Sequence, residues 1–358
     1  MSKQEGHELP AMGWGRSIQV GDKLSKDKIV AGLIGAGRIG KMHASNILSL
    51  IPDVTLKWVA DPALNEEWAH ESGIPNATKD VKELLADPEL EAVVIATSST
   101  EHVAMIKQVA AAGKHMFCEK PIAFTPEEID EAIEAVKTAG VKLQVGFNRR
   151  FDPDFSRVKA AVAAGEIGNQ QIIRITNRDP VRPALDFIPH SGGLFMDFCI
   201  HDFDTVRYLS GAEVEEIFVM GAVLIDPEIE KLGDIDTALI TLRLSNGALC
   251  IVDNSRETNY GYDQQIEVFG SKGSVWARNT TPTQIQLSTA EGVYSDKPHF
   301  SFVERFREAF VEEQRQFFSS VRSDKPVPVS GADAKAAVRI SQAAAKSFEQ
   351  NMAVRIES

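Results

Sequence analysis

A buried strand, a glycine-rich turn and a helix follow one another without a break near the start of this chain. KIVAGLIG, which begins at residue 28, is an apolar run typical of a buried strand. GAGRIG continues from it with the spacing G-x-G-x-x-G, and the residues after it carry apolar side chains at helical intervals. Strand and helix patterns then alternate as far as residue 147. Because parallel strands need crossover connections, this alternation predicts a doubly wound parallel sheet, an α/β fold, over residues 28–147.

The pattern changes after Asn148, where strand patterns follow one another with turn signals between them. In TALITLRLS, Ile240, Leu242 and Leu244 alternate with polar side chains, and SNG ahead of Ala248 predicts a hairpin turn. Such alternation is typical of an antiparallel sheet with one packed face and one more open face. We predict that residues 148–358 form a second, α+β domain, in which helices cover the packed face and two helices close the chain.

Composition narrows the class of partner and the compartment. The formal net charge of −13 disfavours a protein that binds nucleic acid or an anionic membrane surface. No apolar run reaches transmembrane length, and residues 1–27 lack the layout of a signal peptide, so we expect a flexible N-terminal extension there. The three cysteines are too scattered for a disulfide framework or a zinc site. We therefore expect a reducing, cytoplasmic setting and predict no metal.

The glycine turn has the spacing of a dinucleotide site, although glycines also serve plain structural turns. Gly35 would permit the tight turn, Gly37 would let backbone N–H groups approach a pyrophosphate, and Gly40 would allow close helix packing. A second strand ends at Asp61, about 20 residues further on, where a carboxylate can accept hydrogen bonds from ribose hydroxyls. The order of strand, turn and helix favours dinucleotide binding over a plain turn.

Asp61 also bears on the choice of dinucleotide, because its negative charge would repel a 2′-phosphate and so favours NAD. Arg38, inside the turn, can stack on adenine or pair with a 2′-phosphate, which leaves NADP open. Thr97 and Ser98 follow another parallel strand, at the edge where ligands of open α/β sheets bind. The cofactor contacts predicted in addition to the glycines and Asp61 are Arg38, Ile39, Thr97, Ser98, Glu119 and Lys120.

The sequence CEKP ends a further strand and places Glu119 and Lys120 at the same sheet edge. A salt bridge at the surface is one interpretation of this pair. The following Pro121 restricts the backbone and can aim the lysine inward, where it could stabilise an alkoxide that forms beside bound nicotinamide. Glu119 would then orient Lys120 or contact the nicotinamide ribose, as part of the cofactor site.

Asp197 and His201 stand four residues apart in SGGLFMDFCIHDFDTVRYL, a segment otherwise rich in apolar residues. On one helix they would share a face, because residues i and i+4 are neighbours. The pair could be a buried hydrogen bond that fastens the helix, or it could belong to a catalytic site. A half-satisfied polar pair in an apolar setting is destabilising, which favours catalysis once a dinucleotide site is present. Asp202 and Asp204 would point away and be solvated or ion-paired.

Four segments together resemble a known family. GAGRIGKMHA, FCEKP, VGFNRRFDPDF and GGLFMDFCIHDFD are similar to motifs of the Gfo/Idh/MocA oxidoreductases, and FNRRFDP, NRDP and NYGYD point to the inositol branch of that family. The resemblance covers the chain after residue 27. It implies a Rossmann domain followed by a domain with a large open sheet, whose exposed face pairs copies into a homodimer or homotetramer.

The resemblance also implies an activity and the residues that perform it. An NAD-dependent dehydrogenase would oxidise a secondary hydroxyl of a cyclic polyol, an inositol above all, with Lys120, Asp197 and His201 carrying catalysis. His201 would be the general base, since an imidazole pKa of about 6.5 suits proton transfer near neutral pH. Asp197 would hydrogen-bond the polyol or Lys120. The implied substrate contacts are Arg149, Asp179, Asp197, His201 and Tyr262.

Other functions stay open at this point. A dehydrogenase of a pyranose sugar or of another inositol isomer would carry the same motifs. So would a catalytically silent regulator that senses NAD, although the presence of all three catalytic candidates argues against it. A hydrolase that uses tightly held NAD for a transient oxidation would cleave glycosides without net formation of NADH.

Overall fold

The computed structural model describes residues 28–356, so the extension expected over residues 1–27 lies outside the described residues. The first sheet is built from six strands, which are β1 Ile29–Ile34, β2 Val54–Ala60, β3 Asn76–Thr78, β4 Ala92–Ile95, β5 His115–Cys118 and β6 Leu143–Val145. Their helices are α1 Arg38–Leu50, α2 Glu66–Glu71, α3 Val81–Leu85, α4 His102–Ala111 and α5 Pro126–Ala139.

All pairings in this sheet are parallel, in the order β3-β2-β1-β4-β5-β6. The predicted doubly wound sheet is therefore confirmed. The chain runs outward from β1 in one direction and returns to start β4 on its other side. A crevice opens at such a reversal, beyond the carboxyl ends of the strands, and ligands of open α/β sheets bind there.

The second sheet has seven strands, which are β7 Gln170–Arg178, β8 Val214–Ala222, β9 Thr237–Leu244, β10 Leu249–Ser255, β11 Asp263–Gly270, β12 Gly273–Ala277 and, near the end of the chain, β15 Val354–Arg355. A separate hairpin pairs β13 Gln286–Ser288 with β14 Val293–Ser295. The order β12-β11-β7-β10-β9-β8-β15 is antiparallel except for the parallel pair β7–β10. The prediction of a mostly antiparallel sheet is confirmed.

The remaining helices are α6 Pro153–Ala163, α7 Ile188–Ser191, α8 Ile200–Ser210, α9 Pro227–Lys231, α10 Phe302–Arg305, α11 Arg307–Arg322 and α12 Gly331–Gln350. Helices α6, α8 and α12 pack on one face of the second sheet. Ile240, Leu242 and Leu244 point into that packed face, whereas Leu239 is exposed on the other. Within residues 28–356 we find no helix both long and apolar enough to cross a membrane.

Helix α11 returns the chain to the first sheet after the second has been completed. Its residues Val311, Phe317 and Phe318 belong to the same apolar cluster as Leu33 of β1 and Ile47 of α1. The end of α11 also donates a hydrogen bond from the Arg322 guanidinium to the carboxylate of Asp53, at 3.1 Å. The first sheet is therefore covered in part by a helix encoded more than a hundred residues later.

Candidate active site

The glycine turn joins β1 to α1 at the crevice of the first sheet. Gly35 has a φ of +96°, and a Cβ there would lie 2.5 Å from the carbonyl oxygen of Ala96. A Cβ on Gly40 would collide with the carbonyl oxygen of Gly35. Gly37 differs, because a Cβ there would meet no atom within 4 Å. The N-terminus of α1 is thus open beside Gly37, and its N–H groups fit the pyrophosphate of a dinucleotide.

Asp61 follows β2 and lies against this turn. Its carboxylate accepts hydrogen bonds from the backbone N–H groups of Ala36, at 2.6 Å, and Ala63, at 2.7 Å. Each carboxylate oxygen has a second lone pair, and the side chain is only half-buried, so it can still accept a bond from a ribose hydroxyl. The residues present fit NAD, with Asp61 holding the turn and the ribose together.

The other predicted cofactor contacts lie around the same crevice. Arg38 is exposed at the start of α1, with its guanidinium carbon 5.1 Å from the centre of the Phe302 ring. Thr97 is half-buried and Ser98 is exposed, both just beyond the carboxyl end of β4. Ile39 is half-buried in the first turn of α1. The structure brings all four to the edge that carries the glycine turn, while their contacts with a cofactor stay a prediction.

Lys120 links the two halves of the molecule. It follows β5 on the first sheet, next to Glu119, and the Lys120–Pro121 peptide bond is cis. The ammonium Nζ donates to the backbone carbonyl oxygen of Asp197 at 2.9 Å and lies 3.4 Å from the Asp197 carboxylate. The lysine therefore points inward, into the space between the two sheets.

Asp197 and His201 do not lie on one continuous α-helix, so that prediction is wrong. Asp197 is in a π-helical turn, Leu194–Phe198, and His201 is in the first turn of α8. The Asp197 carboxylate also accepts a hydrogen bond from the Arg256 guanidinium at 3.0 Å. Burial raises the pKa of Asp197, but the charges of Lys120 and Arg256 outweigh burial and hold that pKa below its ordinary value.

His201 is the neutral base of the group. Burial lowers its pKa well below the ordinary value, and the nearby positive charges of Lys120 and Arg149 lower it further. Its Nδ1 is shielded from solvent and has no hydrogen-bond partner among the described residues, so Nε2 is the nitrogen that can meet a ligand. The ring packs edge-on against Phe147, with centroids 6.2 Å apart. His201 and Lys120 thus belong to one cleft.

Asp179 reaches the same cleft from the end of β7. Its backbone N–H donates to the carbonyl oxygen of Ser255 at 2.9 Å, which places it beside the end of β10. Burial raises the pKa of the Asp179 carboxyl to about 7; the charge of Arg256 opposes this rise and that of Asp197 adds to it. The group therefore carries a partial negative charge near neutral pH and can accept or donate a hydrogen bond.

Arg149 and Tyr262 are more deeply buried than Asp179. Arg149 is 3 % exposed and donates to the Asp202 carboxylate at 2.5 Å. Asp202 is buried too and also accepts bonds from the side-chain amides of Asn177 and Asn254. Tyr262 is buried, and burial raises the pKa of its hydroxyl. Asp202 is thus ion-paired, one of the two predicted alternatives, and contact of Arg149 or Tyr262 with substrate stays a prediction.

A second polar cluster adjoins Glu119 and is formed by side chains of helices α1 and α11. His43 Nε2 is 2.6 Å from the Glu119 carboxylate, and its Nδ1 is 2.6 Å from the side-chain amide of Gln314. Glu313 is fully buried, and neither of its carboxylate oxygens has a partner among the described residues. Burial and the negative charge of Glu119 raise the pKa of Glu313 well above its ordinary value, which favours the neutral acid.

Both halves of the chain match families of known proteins. An oxidoreductase family with an NAD-binding Rossmann fold, Gfo/Idh/MocA, matches residues 29–147, and the Gfo/Idh/MocA C-terminal domain matches residues 155–276. The chain belongs to the Gfo/Idh/MocA oxidoreductase family. Membership makes it an NAD-binding oxidoreductase.

Relatives in the Gfo/Idh/MocA family align with most of the chain. An uncharacterised oxidoreductase of Bacillus subtilis is 48% identical over 92% of this chain and 97% of its own. Myo-inositol 2-dehydrogenase of Thermotoga maritima is 45% identical over 91% of this chain and 98% of its own. The structure of scyllo-inositol dehydrogenase from Lactobacillus casei, with bound NAD(H) and scyllo-inositol, has a TM-score of 0.87 at 29% identity, over 93% of this chain and 100% of that one.

Arg256 is the site residue of this Gfo/Idh/MocA chain that motif reasoning missed. A single arginine after a strand is usually solvated, and no local pattern marks this one as buried. The one available signal is its position directly after the strand pattern of β10, which ends at Ser255, where a parallel neighbour would bring it to the ligand edge of the sheet. His43 and Glu313 were missed for a similar reason, because each lies singly in a helix.

Proposed function

We propose that this Gfo/Idh/MocA chain is an NAD-dependent dehydrogenase that oxidises a secondary hydroxyl of a cyclic polyol, with an inositol as the first choice of substrate. The Thermotoga maritima relative is named for myo-inositol, and the Lactobacillus casei structure holds scyllo-inositol with NAD(H). One observation in this chain carries the proposal. Lys120, which follows β5 of the first sheet, meets Asp197 of the π-helical turn, beside the neutral His201.

The proton and the hydride that leave the alcohol are taken up by different acceptors. When bound, NAD supplies the acceptor for the hydride that leaves the carbinol carbon. His201 accepts the hydroxyl proton at Nε2, since its neutral imidazole has a lone pair free there. The Lys120 ammonium stabilises the oxygen as it loses that proton, and Asp197 holds the ammonium in place.

A polyol suits this cleft because each of its hydroxyl groups needs a hydrogen-bond partner when it is buried. Asp179, with a pKa of about 7, can accept or donate such a bond. Sites built to bond hydroxyl groups discriminate strongly against analogues that lack them, because the site's polar groups are then left unpaired. The cleft is therefore expected to prefer polyols over simple alcohols.

A substrate panel tests the proposal. Inositol isomers, aldoses and acyclic polyols are incubated with the enzyme and NAD, and reduced nicotinamide is followed by its absorbance, with His201→Ala as the background control. We expect activity with at least one inositol. Activity confined to aldoses would move the proposal to a pyranose dehydrogenase. Glycoside cleavage without net NADH would replace it by a hydrolase.

The choice of NAD over NADP is part of this proposal. Asp61 faces the glycine turn and would repel a 2′-phosphate, whereas the exposed Arg38 could accept one. We expect a higher kcat/KM with NAD, and a reduced preference in Asp61→Ala. A higher kcat/KM of the wild type with NADP would contradict this assignment.

We also propose that the open face of the second sheet joins copies of the chain into a homodimer or homotetramer. Ile172 lies between its cross-strand neighbours Leu249 and Phe269 on that face. Leu249 is 48 % exposed and Phe269 is 40 % exposed, and exposed apolar residues on adjacent strands form a patch typical of an interface. Trp276 and Met220 extend the apolar surface toward the two edges of the sheet.

The domain division and the compartment belong to the same proposal. The family matches stop at residue 147 and resume at residue 155, which supports a boundary after residue 147, with a cofactor domain before it and a substrate and assembly domain after it. Cys118, Cys199 and Cys250 are buried free thiols. Such thiols suit the reducing cytoplasm, where we place the enzyme.

A further inference from the structure

Arg256 is held between the π-helical turn and the second sheet. It is 2 % exposed, and its backbone N–H donates to the carbonyl oxygen of Asp236 at 2.9 Å. Its Nη1 donates to the Asp197 carboxylate at 3.0 Å, while Nη2 lies 3.9 Å from the carboxylate of Asp234. The guanidinium carbon is 5.2 Å from the centre of the Phe198 ring. The arginine is therefore fixed on several sides.

The two oxygens of the Asp197 carboxylate face different cations. Oδ1 is 3.4 Å from the Lys120 ammonium, and Oδ2 accepts the bond from Arg256. A carboxylate held in this way cannot rotate to follow one partner without losing the other. Arg256 Nη2 is shielded from solvent and makes no hydrogen bond with the described residues, so the hydrogen bond from Nη1 to Asp197 is the contact through which Arg256 bears on the site.

We propose that Arg256 is a positioning residue for the reaction, which fixes the orientation of the Asp197 carboxylate and thereby keeps the Lys120 ammonium aimed at the substrate oxygen. The inference deepens the proposed function and rests on it for the role of Lys120. It adds a second carboxyl group as well, because the parallel pairing of β7 with β10 brings Asp179 beside Arg256.

The charge of Arg256 acts on both carboxyl groups. Asp197 is faced by Lys120 and Arg256, and both lower its pKa. Asp179 is faced by the positive charges of Arg256, Arg149 and Lys120 and by the negative charge of Asp197. We therefore expect the removal of Arg256 to raise the pKa of the Asp197 and Asp179 carboxyls by about one unit, the effect of losing one nearby positive charge. The pKa of His201 is lowered by burial and by the charges of Lys120 and Arg149, and Arg256 is not among these causes, so the removal of Arg256 should leave the titration of His201 in place.

The pH profile of kcat/KM tests the role. We expect Arg256→Met to lower kcat/KM near pH 7.5 by about 10²-fold, the effect of misplacing a reacting group, and to move the acidic limb up by about one pH unit. Arg256→Lys keeps the charge and should keep the limb where the wild type has it. Arg157→Met, at an exposed arginine that is ion-paired with the exposed Glu166, is the matched control and should behave as the wild type.

Two results would overturn the proposal. One is a folded Arg256→Met enzyme whose acidic limb does not move, since a loss of kcat alone would fit a merely structural role. The other is an equal shift in Arg256→Lys and Arg256→Met, which would remove charge as the cause. If Arg256→Met does not fold, Arg256→Gln is measured in its place and judged by the same two results. NADH affinity, followed by fluorescence, should be unchanged in every variant.

A readout without turnover separates this inference from the proposed function. The wild type and Arg256→Met are labelled with ¹³C at the aspartate carboxyls and titrated by NMR, with Asp179→Asn and Asp197→Asn used to assign the two signals. We expect both signals to titrate higher in Arg256→Met. If the wild type oxidises none of the polyols, the proposed function fails, while unmoved carboxyl titrations would overturn the role of Arg256.

Discussion

At the scale of single residues, we expect turnover to depend most on His201, the proposed general base. Its pKa lies well below the ordinary value because of burial and the charges of Lys120 and Arg149, so it is already neutral near pH 7 and can take a proton. We expect His201→Ala to lower kcat by roughly 10²–10⁴-fold, with little change in NADH affinity. Steady-state kinetics and fluorescence titration measure the two quantities. The exposed His70 provides a control in His70→Ala, and near-normal turnover in His201→Ala would exclude His201 as the base.

We expect the thermal stability of the protein to depend on pH through the buried carboxyl of Glu313. Burial and the negative charge of Glu119 raise its pKa in the folded protein well above the ordinary value for a glutamate, so its contribution to stability is complete below that ordinary value and is lost as the pH rises toward the folded pKa. Glu313→Gln mimics the neutral acid and should flatten the fall of Tm between pH 5 and 8 (about the range that matters for a raised carboxyl pKa). Glu308→Gln, at an exposed residue of α11, should keep the wild-type slope.

Glu313 also belongs to a group of side chains that could hold a metal ion, and the presence of such an ion can be tested. His43, Glu119 and Glu313 each offer a ligand atom, all within 4.8 Å of one another, whereas the sequence predicts no metal. A protonated carboxyl is a poor ligand, so we expect chelator treatment to leave Tm and kcat unchanged. Elemental analysis that finds a stoichiometric metal ion, lost in Glu313→Gln, would contradict both the neutral state and the predicted absence.

At the scale of elements, two glycines of the same turn allow the effect of a substitution on folding to be distinguished from its effect on cofactor binding. Gly37 has a φ of −70°, which any residue can adopt, and a Cβ there meets no atom of the chain within 4 Å. Gly37→Ala should therefore fold with an unchanged Tm but bind NADH at least about 10-fold more weakly, because the added methyl occupies the pyrophosphate approach. Gly40→Ala should fail to fold stably, since its Cβ would collide with the carbonyl oxygen of Gly35. Unchanged NADH affinity in Gly37→Ala would show that the pyrophosphate lies elsewhere.

Elements of the first sheet could be predicted from sequence because their signals are local. Each strand carries its own apolar run, and the turn at Gly35 is recognisable from spacing alone. The partner of each strand in the second sheet could not be predicted, since a period-2 pattern gives the faces of a strand and not its neighbours. The parallel pair β7–β10 therefore went unseen, and with it the meeting of Asp179 with Arg256.

The π-helical turn Leu194–Phe198 could not be predicted from the sequence either. Its sequence has apolar residues at intervals that an α-helix would also satisfy, and one extra residue per turn leaves no separate signature. Lys120, Asp197 and His201 were nevertheless identified by residue type and motif. Their common cleft depends on contacts between parts of the chain about 80 residues apart, and the structure was needed to place them together.

At the scale of the whole molecule, assembly is the property that the second sheet controls. Phe269→Glu puts a charge in the apolar patch beside Ile172, so we expect it to shift the protein to a smaller species in size-exclusion chromatography with light scattering. Leu48→Glu changes an apolar residue that is equally exposed, at 41 %, on α1 of the other sheet, and should leave the mass unchanged. A wild-type monomer at assay concentration would contradict the proposed assembly.

The order in which the chain leaves the ribosome conflicts with the order in which its parts pack. Residues 28–147 emerge before the second sheet, but Val311, Phe317 and Phe318 of α11, which cover part of their apolar surface, are translated only after it. A nascent chain therefore exposes that surface through the synthesis of the whole second sheet, and a fragment that stops at residue 147 should aggregate unless a peptide of residues 307–322 is supplied. Light scattering of the fragment with and without that peptide measures this, and a monodisperse fragment alone would refute it. Burial of the apolar surface of the first sheet thus waits on the synthesis of α11.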